Sequence, residues 1–276
     1  MNNTLTPRLW WTALGLGFLG WGVAASRHWL LQSNAYDLGL FDQWAWLISN
    51  GLSPISSMEN VHVLADHGAW MFYGSGLLYW LHPSIHWLLA SQALALSLTA
   101  IPIWMLATQA GLSRRLCWFS CLLWWLQPLV FNVNLFDFHP ETWIMPGLAL
   151  AIWCQRQKRF SAWVALLVLM LGCRDGLVLV TLGLSLSLLI QKRWNWVIAG
   201  TGLSGVWILL LSQWLYPLLR SGEGPKAAGR MFSHLGNNFG DILFTLMSRP
   251  WLAFTHINFG DGAFYLLVLI LPTLPF

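Results

Sequence analysis

Four short stretches of this chain carry residues that could do chemistry. YDLGLFDQWAW, Tyr36 to Trp46, holds Asp37 and Asp42; LADHGAW holds Asp66 and His67; FDFHPE holds Asp137, His139 and Glu141; GCRDGLVL holds Arg174 beside Asp175. A positioned carboxylate can take a proton from an attacking hydroxyl, and the planar fork of a guanidinium matches a phosphate. If FDFHPE is extended, alternation points Asp137, His139 and Glu141 to one side. That set of oxygen and imidazole donors is compatible with a divalent cation such as Mg or Mn, with Asp137 and His139 as its ligands. Each stretch also has a plainer reading. Asp37 and Asp66 are equally suited to cap helices, Pro140 and Glu141 suit a first helical turn that Asp137 or His139 could cap, and Arg174 with Asp175 reads equally as an internal ion pair. No His-Glu-x-x-His template is present.

The elements that must position these residues belong to a membrane protein. Of 276 residues 57% are hydrophobic, 9% are charged and 21 are tryptophan, far from soluble averages. Runs apolar enough to span lie at about 9–30, 84–110, 116–133, 141–155, 160–173, 176–191, 195–217 and 252–276, the fourth to sixth being short. The expected fold is all-α: one polytopic membrane bundle over 1–276 with about seven or eight transmembrane helices. The first run has a basic flank at Arg8 and small residues at Ala24, Ala25 and Ser26, like a signal peptide, but its length favours an uncleaved anchor.

Charge orients the bundle. With the N-terminus cytoplasmic, Arg8, Arg114, Arg115, Arg156, Lys158, Arg159, Lys192 and Arg193 fall inside, eight of the fourteen basic residues. All ten acids, Glu59, Glu223, Asp241 and Asp261 among them, and all eight histidines then fall at or beyond the opposite face. Two long extracytoplasmic loops, 31–83 and 218–251, account for part of this segregation. Asp137, His139, Glu141, Arg174 and Asp175 instead occupy short turns between apolar runs, where ionisable groups are costly and read as functional.

Within the first loop, Leu40, Phe41, Trp44, Leu47 and Ile48 keep helical spacing and Asn50-Gly51 is a stop, which predicts an interfacial helix. The fourteen or so apolar residues after His67 are too few to span and predict a re-entrant or surface helix ending before Pro83; His82 and His86 flank it as interfacial side chains. Cys117, Cys121, Cys154 and Cys173 read as packing residues with no disulfide framework. The tryptophans crowd near run ends as interfacial belts do, so no nucleic-acid platform is implied, and there is no P-loop, dinucleotide fingerprint or nucleophile elbow. SGEGPKAAGR, in the second loop, is linker-like. The closing run LLVLILPTLPF has no basic flank, as expected of a chain that continues.

YDLGLFDQWAWLISNG, the ADH of LADHGAWMFYG, DFHPE and CRDGLVL stand in the order seen in a prokaryotic predicted-membrane-protein family, the domain-of-unknown-function family numbered 2079. The resemblance covers about residues 35–200. Members look like distant relatives of the C-type (GT-C) membrane glycosyltransferases, which transfer sugars from polyprenyl-phosphate donors at the outer membrane face. It implies a plasma-membrane, multi-pass protein with Asp37 at the catalytic centre, where those enzymes place an acid after the first span. The chain departs from the family in three places: Leu38 follows Asp37 where many relatives have a second acid, Arg174-Asp175 replaces Lys-Glu, and His67-Gly68-Ala69-Trp70 replaces a His-Phe-Ser-Pro type segment.

With the residue chemistry, the resemblance implies Asp37 as base, Arg174 as phosphate contact, and Asp66, His67, His139, Glu141 and Asp175 as substrate-binding residues. Two other classes stay open. A transporter or lipid-handling protein would bind a cation or headgroup with the same acids and carry polar residues on through the bundle. A non-catalytic assembly subunit would use the charged turns as ion pairs.

Overall fold

Prolines, glycines and short basic turns divide the apolar runs into helices, as seen in a computed structural model that describes residues 6–220, 233–236, 239–255 and 258–270. Glu223 and the SGEGPKAAGR stretch lie outside the described residues, as does His256. Among the described residues there is no strand; Ile55 and His62 form an isolated antiparallel bridge.

α1 (Pro7–Trp29) starts with Pro7 in the first turn, where its missing N–H costs nothing. α2 (Ala35–Ser49) is capped by Asn34, whose side chain accepts from the Tyr36 N–H, and ends at Asn50-Gly51, with Gly51 left-handed at φ +67°. The stretch after it forms α3 (Val63–His67), a 3-10 turn (Trp70–Phe72) and α4 (Tyr73–Leu81). α5 (His86–Leu98) and α6 (Ala100–Gln109) make one long apolar rod, and α7 (Arg114–Trp125) and α8 (Pro128–Leu135) a pair bent by 43°. A 3-10 turn (Pro140–Ile144) leads into α9 (Met145–Arg156), followed by α10 (Phe160–Leu171), α11 (Leu177–Leu186), α12 (Trp194–Leu210), a π turn (Leu211–Leu215) and α13 (Tyr216–Leu219). Two further helices cover Phe239–Ser248 and Phe259–Ile270.

Among the described residues three helical stretches are long and apolar enough to cross a membrane: Pro7–Trp29, His86–Gln109 and Trp194–Leu219; a fourth arises if the bent pair counts as one. The sequence reading expects about seven or eight spans; by length and apolarity the described residues support three or four. The middle runs are interrupted by Pro140, Lys158 and the 172–176 turn, so their helices are short: Phe160–Leu171 has twelve residues and Leu177–Leu186 ten.

α1 runs antiparallel along α5 at close range. A Cβ at Gly17 would come within 2.9 Å of Leu94, and the Ser97 hydroxyl donates to the Ala13 carbonyl at 2.6 Å. α11 and α12 are joined by the Thr181 and Ser204 hydroxyls at 2.8 Å. α2 turns Leu38, Phe41 and Trp44 into the protein, against Phe72, Phe138 and Leu88, and leaves Tyr36 and Trp46 exposed. The helical hairpins leave the basic turns near Arg114, Lys158 and Arg193 at one end of the bundle. The C-terminal ends of α1, α8, α10 and α13 and the starts of α2, α5, α9 and α11 gather at the other.

Candidate functional site

All four motifs meet at that second end. The centre is Phe41 of α2, whose ring lies 6.3 Å from His67, 6.1 Å from His139, 5.2 Å from Phe138 and 5.3 Å from Phe72, centroid to centroid. Such packed aromatics form a rigid floor. The charged groups are distributed around it.

On one side Asp37 occupies the first turn of α2, half-buried. Asn34 Nδ2 donates to its Oδ2 at 3.2 Å, so the cap residue is Asn34 and Asp37 is its partner. The Asn34 backbone N–H donates to Asp137 Oδ2 at 2.8 Å, and Arg27, in the last turn of α1, donates to Asp137 Oδ1 at 2.8 Å. Asp137 is only 4% exposed, and its carboxylate is taken up by this cation and this amide.

The DFHPE segment is therefore not an evenly extended strand. Asp137 is left-handed at φ +46°, a conformation Asp tolerates better than most residues, and this breaks the alternation. Asp137 faces Arg27, Glu141 faces Arg174, and His139 stacks on Phe136 at 5.2 Å with Nδ1 3.2 Å from the Phe136 carbonyl. The trio does not converge, and among the described residues no group of three ligand-type side chains is placed to hold a metal. The Asp137–His139 pair as arranged does not fit a divalent cation.

Gln92 holds the segment in place. It is 1% exposed in the middle of α5; its Nε2 donates to the carbonyls of Asp137 and, at 3.0 Å, Val133, while its Oε1 accepts from the His139 N–H at 2.9 Å and the Thr142 hydroxyl at 3.3 Å. A buried amide whose donors and acceptor are all matched specifies one loop conformation.

On the other side Arg174 forms an ion pair with Glu141 Oε1, while Glu141 Oε2 is buried with no hydrogen-bond partner. The neighbouring backbone is tied to the second motif: the Asp175 N–H donates to the His67 carbonyl at 2.8 Å, and the Met71 N–H to the Gly172 carbonyl at 2.9 Å. Gly172 is required there, because a Cβ would lie 2.3 Å from the Trp70 ring. Asp66 Oδ2 sits 3.0 Å from His67 Nε2. Asp175 accepts from the Tyr216 hydroxyl at 2.8 Å, and Arg220, stacked 4.6 Å over the Tyr216 ring, reaches the Asp66 carbonyl at 3.4 Å.

Arg27, Asn34, Gln92, Tyr216 and Arg220 were not among the residues singled out in the sequence. Gln92 alone had a visible signal, a lone amide in an apolar helix; the π turn before Tyr216 has no such mark, although Pro217 removes an N–H from the helix there. Asp42, outside the cluster, accepts from the Tyr79 hydroxyl at 2.6 Å and joins α2 to α4.

A family model described as "Predicted membrane protein (DUF2079)" matches residues 27–276. No curated protein and no solved structure matches the chain.

Proposed function

The chain belongs to this family of predicted membrane proteins, and we propose that it is a GT-C-like glycosyltransferase using a polyprenyl-phosphate-linked sugar as donor. On this reading the long helices, the bent pair and the shorter apolar helices make seven or eight passes through the plasma membrane. The basic turns are cytoplasmic, by the positive-inside rule, and the motif cluster is extracytoplasmic. The observation that carries the reading is that the first three motifs pack around Phe41 while the fourth joins them through the Arg174–Glu141 ion pair and the Asp175 N–H to the His67 carbonyl, with Asp37 at one edge and Arg174 at the other.

In the proposed reaction Asp37 removes the proton of an acceptor hydroxyl. The oxygen attacks the anomeric carbon, the bond from that carbon to the phosphate oxygen breaks, and the electron pair leaves with polyprenyl phosphate. Arg174 holds the leaving phosphate, and the proton passes from Asp37 to solvent. Glu141 holds Arg174 beside the site, and with Asp66, His67, His139 and Asp175 it would bind and orient the substrate. No step uses a metal. A transport path has less support, because the buried hydroxyls of Thr181, Ser185 and Ser204 are already bonded within and between their helices.

The test is transfer from a panel of polyprenyl-phosphate sugars by the full chain in vesicles. Asp37→Asn is expected to lower turnover by about a hundredfold or more while donor binding persists. Unchanged transfer would remove Asp37 as base.

A further inference from the structure

At the end of the bundle away from the motifs, a cleft opens between α1 and α7. It is lined by Thr12 and Leu16 on one wall and by Arg115, Trp118, Phe119, Leu122 and Trp125 on the other. Both walls are fixed to the same rod. α1 is held by the Ser97 to Ala13 hydrogen bond and the contact of Gly17 with Leu94. α7 is held by Trp125 Nε1 donating to the Ser97 carbonyl at 3.0 Å, Trp124 Nε1 to the Leu96 carbonyl at 2.7 Å, and Trp118 edge-on to Trp104 at 5.4 Å. The cleft is preformed rather than a gap that side chains could close.

Its length and charge identify the occupant. From Arg115 to Trp125 a helix rises about 15 Å, half of a hydrocarbon core about 30 Å thick, and so the depth of one leaflet. The lining is apolar except for Arg115 at its end and Thr12, whose hydroxyl is turned back to the Arg8 carbonyl at 2.8 Å. Arg8 lies one turn before Thr12 on the same face of α1, and Arg114 precedes Arg115; all three are exposed. An apolar slot one leaflet deep, with guanidinium groups at the end where headgroups lie, matches an acyl chain attached to a negatively charged headgroup.

We propose that this cleft binds an anionic phospholipid of the leaflet facing the basic turns, with one acyl chain between α1 and α7 and its phosphate on Arg115 and Arg8. This site is independent of the motif cluster and of the proposed transferase reaction.

Native mass spectrometry of the full chain, released from mixed micelles holding equal amounts of phosphatidylglycerol and phosphatidylcholine, tests it. The wild type is expected to retain one phosphatidylglycerol in preference to phosphatidylcholine. Leu16→Trp and, separately, Leu122→Trp place an indole in the slot at exposed positions and should abolish retention. Arg115→Gln should lower the preference about fivefold while leaving a lipid bound. Equal retention of the two lipids by the wild type, or undiminished phosphatidylglycerol in both tryptophan variants, would overturn the proposal.

Discussion

The Arg27 guanidinium meets the Asp137 carboxylate at 2.8 Å, joining the end of α1 to a turn 110 residues later. Because Asp137 also receives the Asn34 N–H, this one pair sets where α2 begins and therefore where Asp37 stands. A buried ion pair is costly to form but costlier to halve, since removing one partner leaves the other charged and dry.

Arg27→Gln should accordingly destabilise the protein by about 3 kcal/mol, the lower end of the usual range because Arg27 retains some solvent contact. The double variant Arg27→Gln with Asp137→Asn, which keeps a residue type suited to the left-handed backbone, should recover part of the loss. Thermal melting in detergent of the two singles and the double closes the cycle; strictly additive losses would contradict a coupled pair.

Gln92→Leu should cost about 1–3 kcal/mol, because the carbonyls of Val133 and Asp137 and the His139 N–H lose buried partners. Faster hydrogen exchange should be confined to residues about 137–142. Uniform acceleration across α5 would point instead to a general packing defect.

The first loop should respond to pH. His62 caps α3 by accepting the Leu64 N–H on Nδ1 at 3.1 Å, which needs a neutral ring, and burial lowers its pKa below the ordinary 6.5. The unfolded loop thus binds a proton more readily than the folded one. The cap's contribution is complete above pH 6.5 and is lost as pH falls below it. Exchange of the amides over 64–68, corrected for intrinsic rates, should rise at pH 5 relative to 7.5, and His62→Asn should flatten that response.

Much of the fold was legible because it depends on local signals. Pro7, the Asn50-Gly51 stop and the apolar spacing of Phe41 and Trp44 each specify a helix, its end or its face within a few residues. The identity of the four motifs was equally legible. Their partners were not, since Arg27, Gln92 and Tyr216 sit in apolar helices and act on residues about 40 to 110 positions away. The expected alignment of Asp137, His139 and Glu141 failed for a local reason: a single left-handed residue resets which way a short segment points.

Glu141→Gln should release Arg174 from its ion pair and so tighten binding of polyprenyl phosphate, while lowering thermal stability. Isothermal titration in detergent reads the first and a melt the second; weaker binding would mean that the carboxylate positions Arg174 for the phosphate rather than competing with it.

The central claim is that the motif cluster is a lipid-phosphate site, and the most direct measurement is native mass spectrometry of the full chain with polyprenyl phosphate, comparing wild type with Arg174→Ala. The account predicts a one-to-one complex with the wild type that is lost in the variant, while Arg115→Gln, at the far end of the bundle, still binds. Equal binding by wild type and Arg174→Ala, or none by a folded wild type, would contradict it.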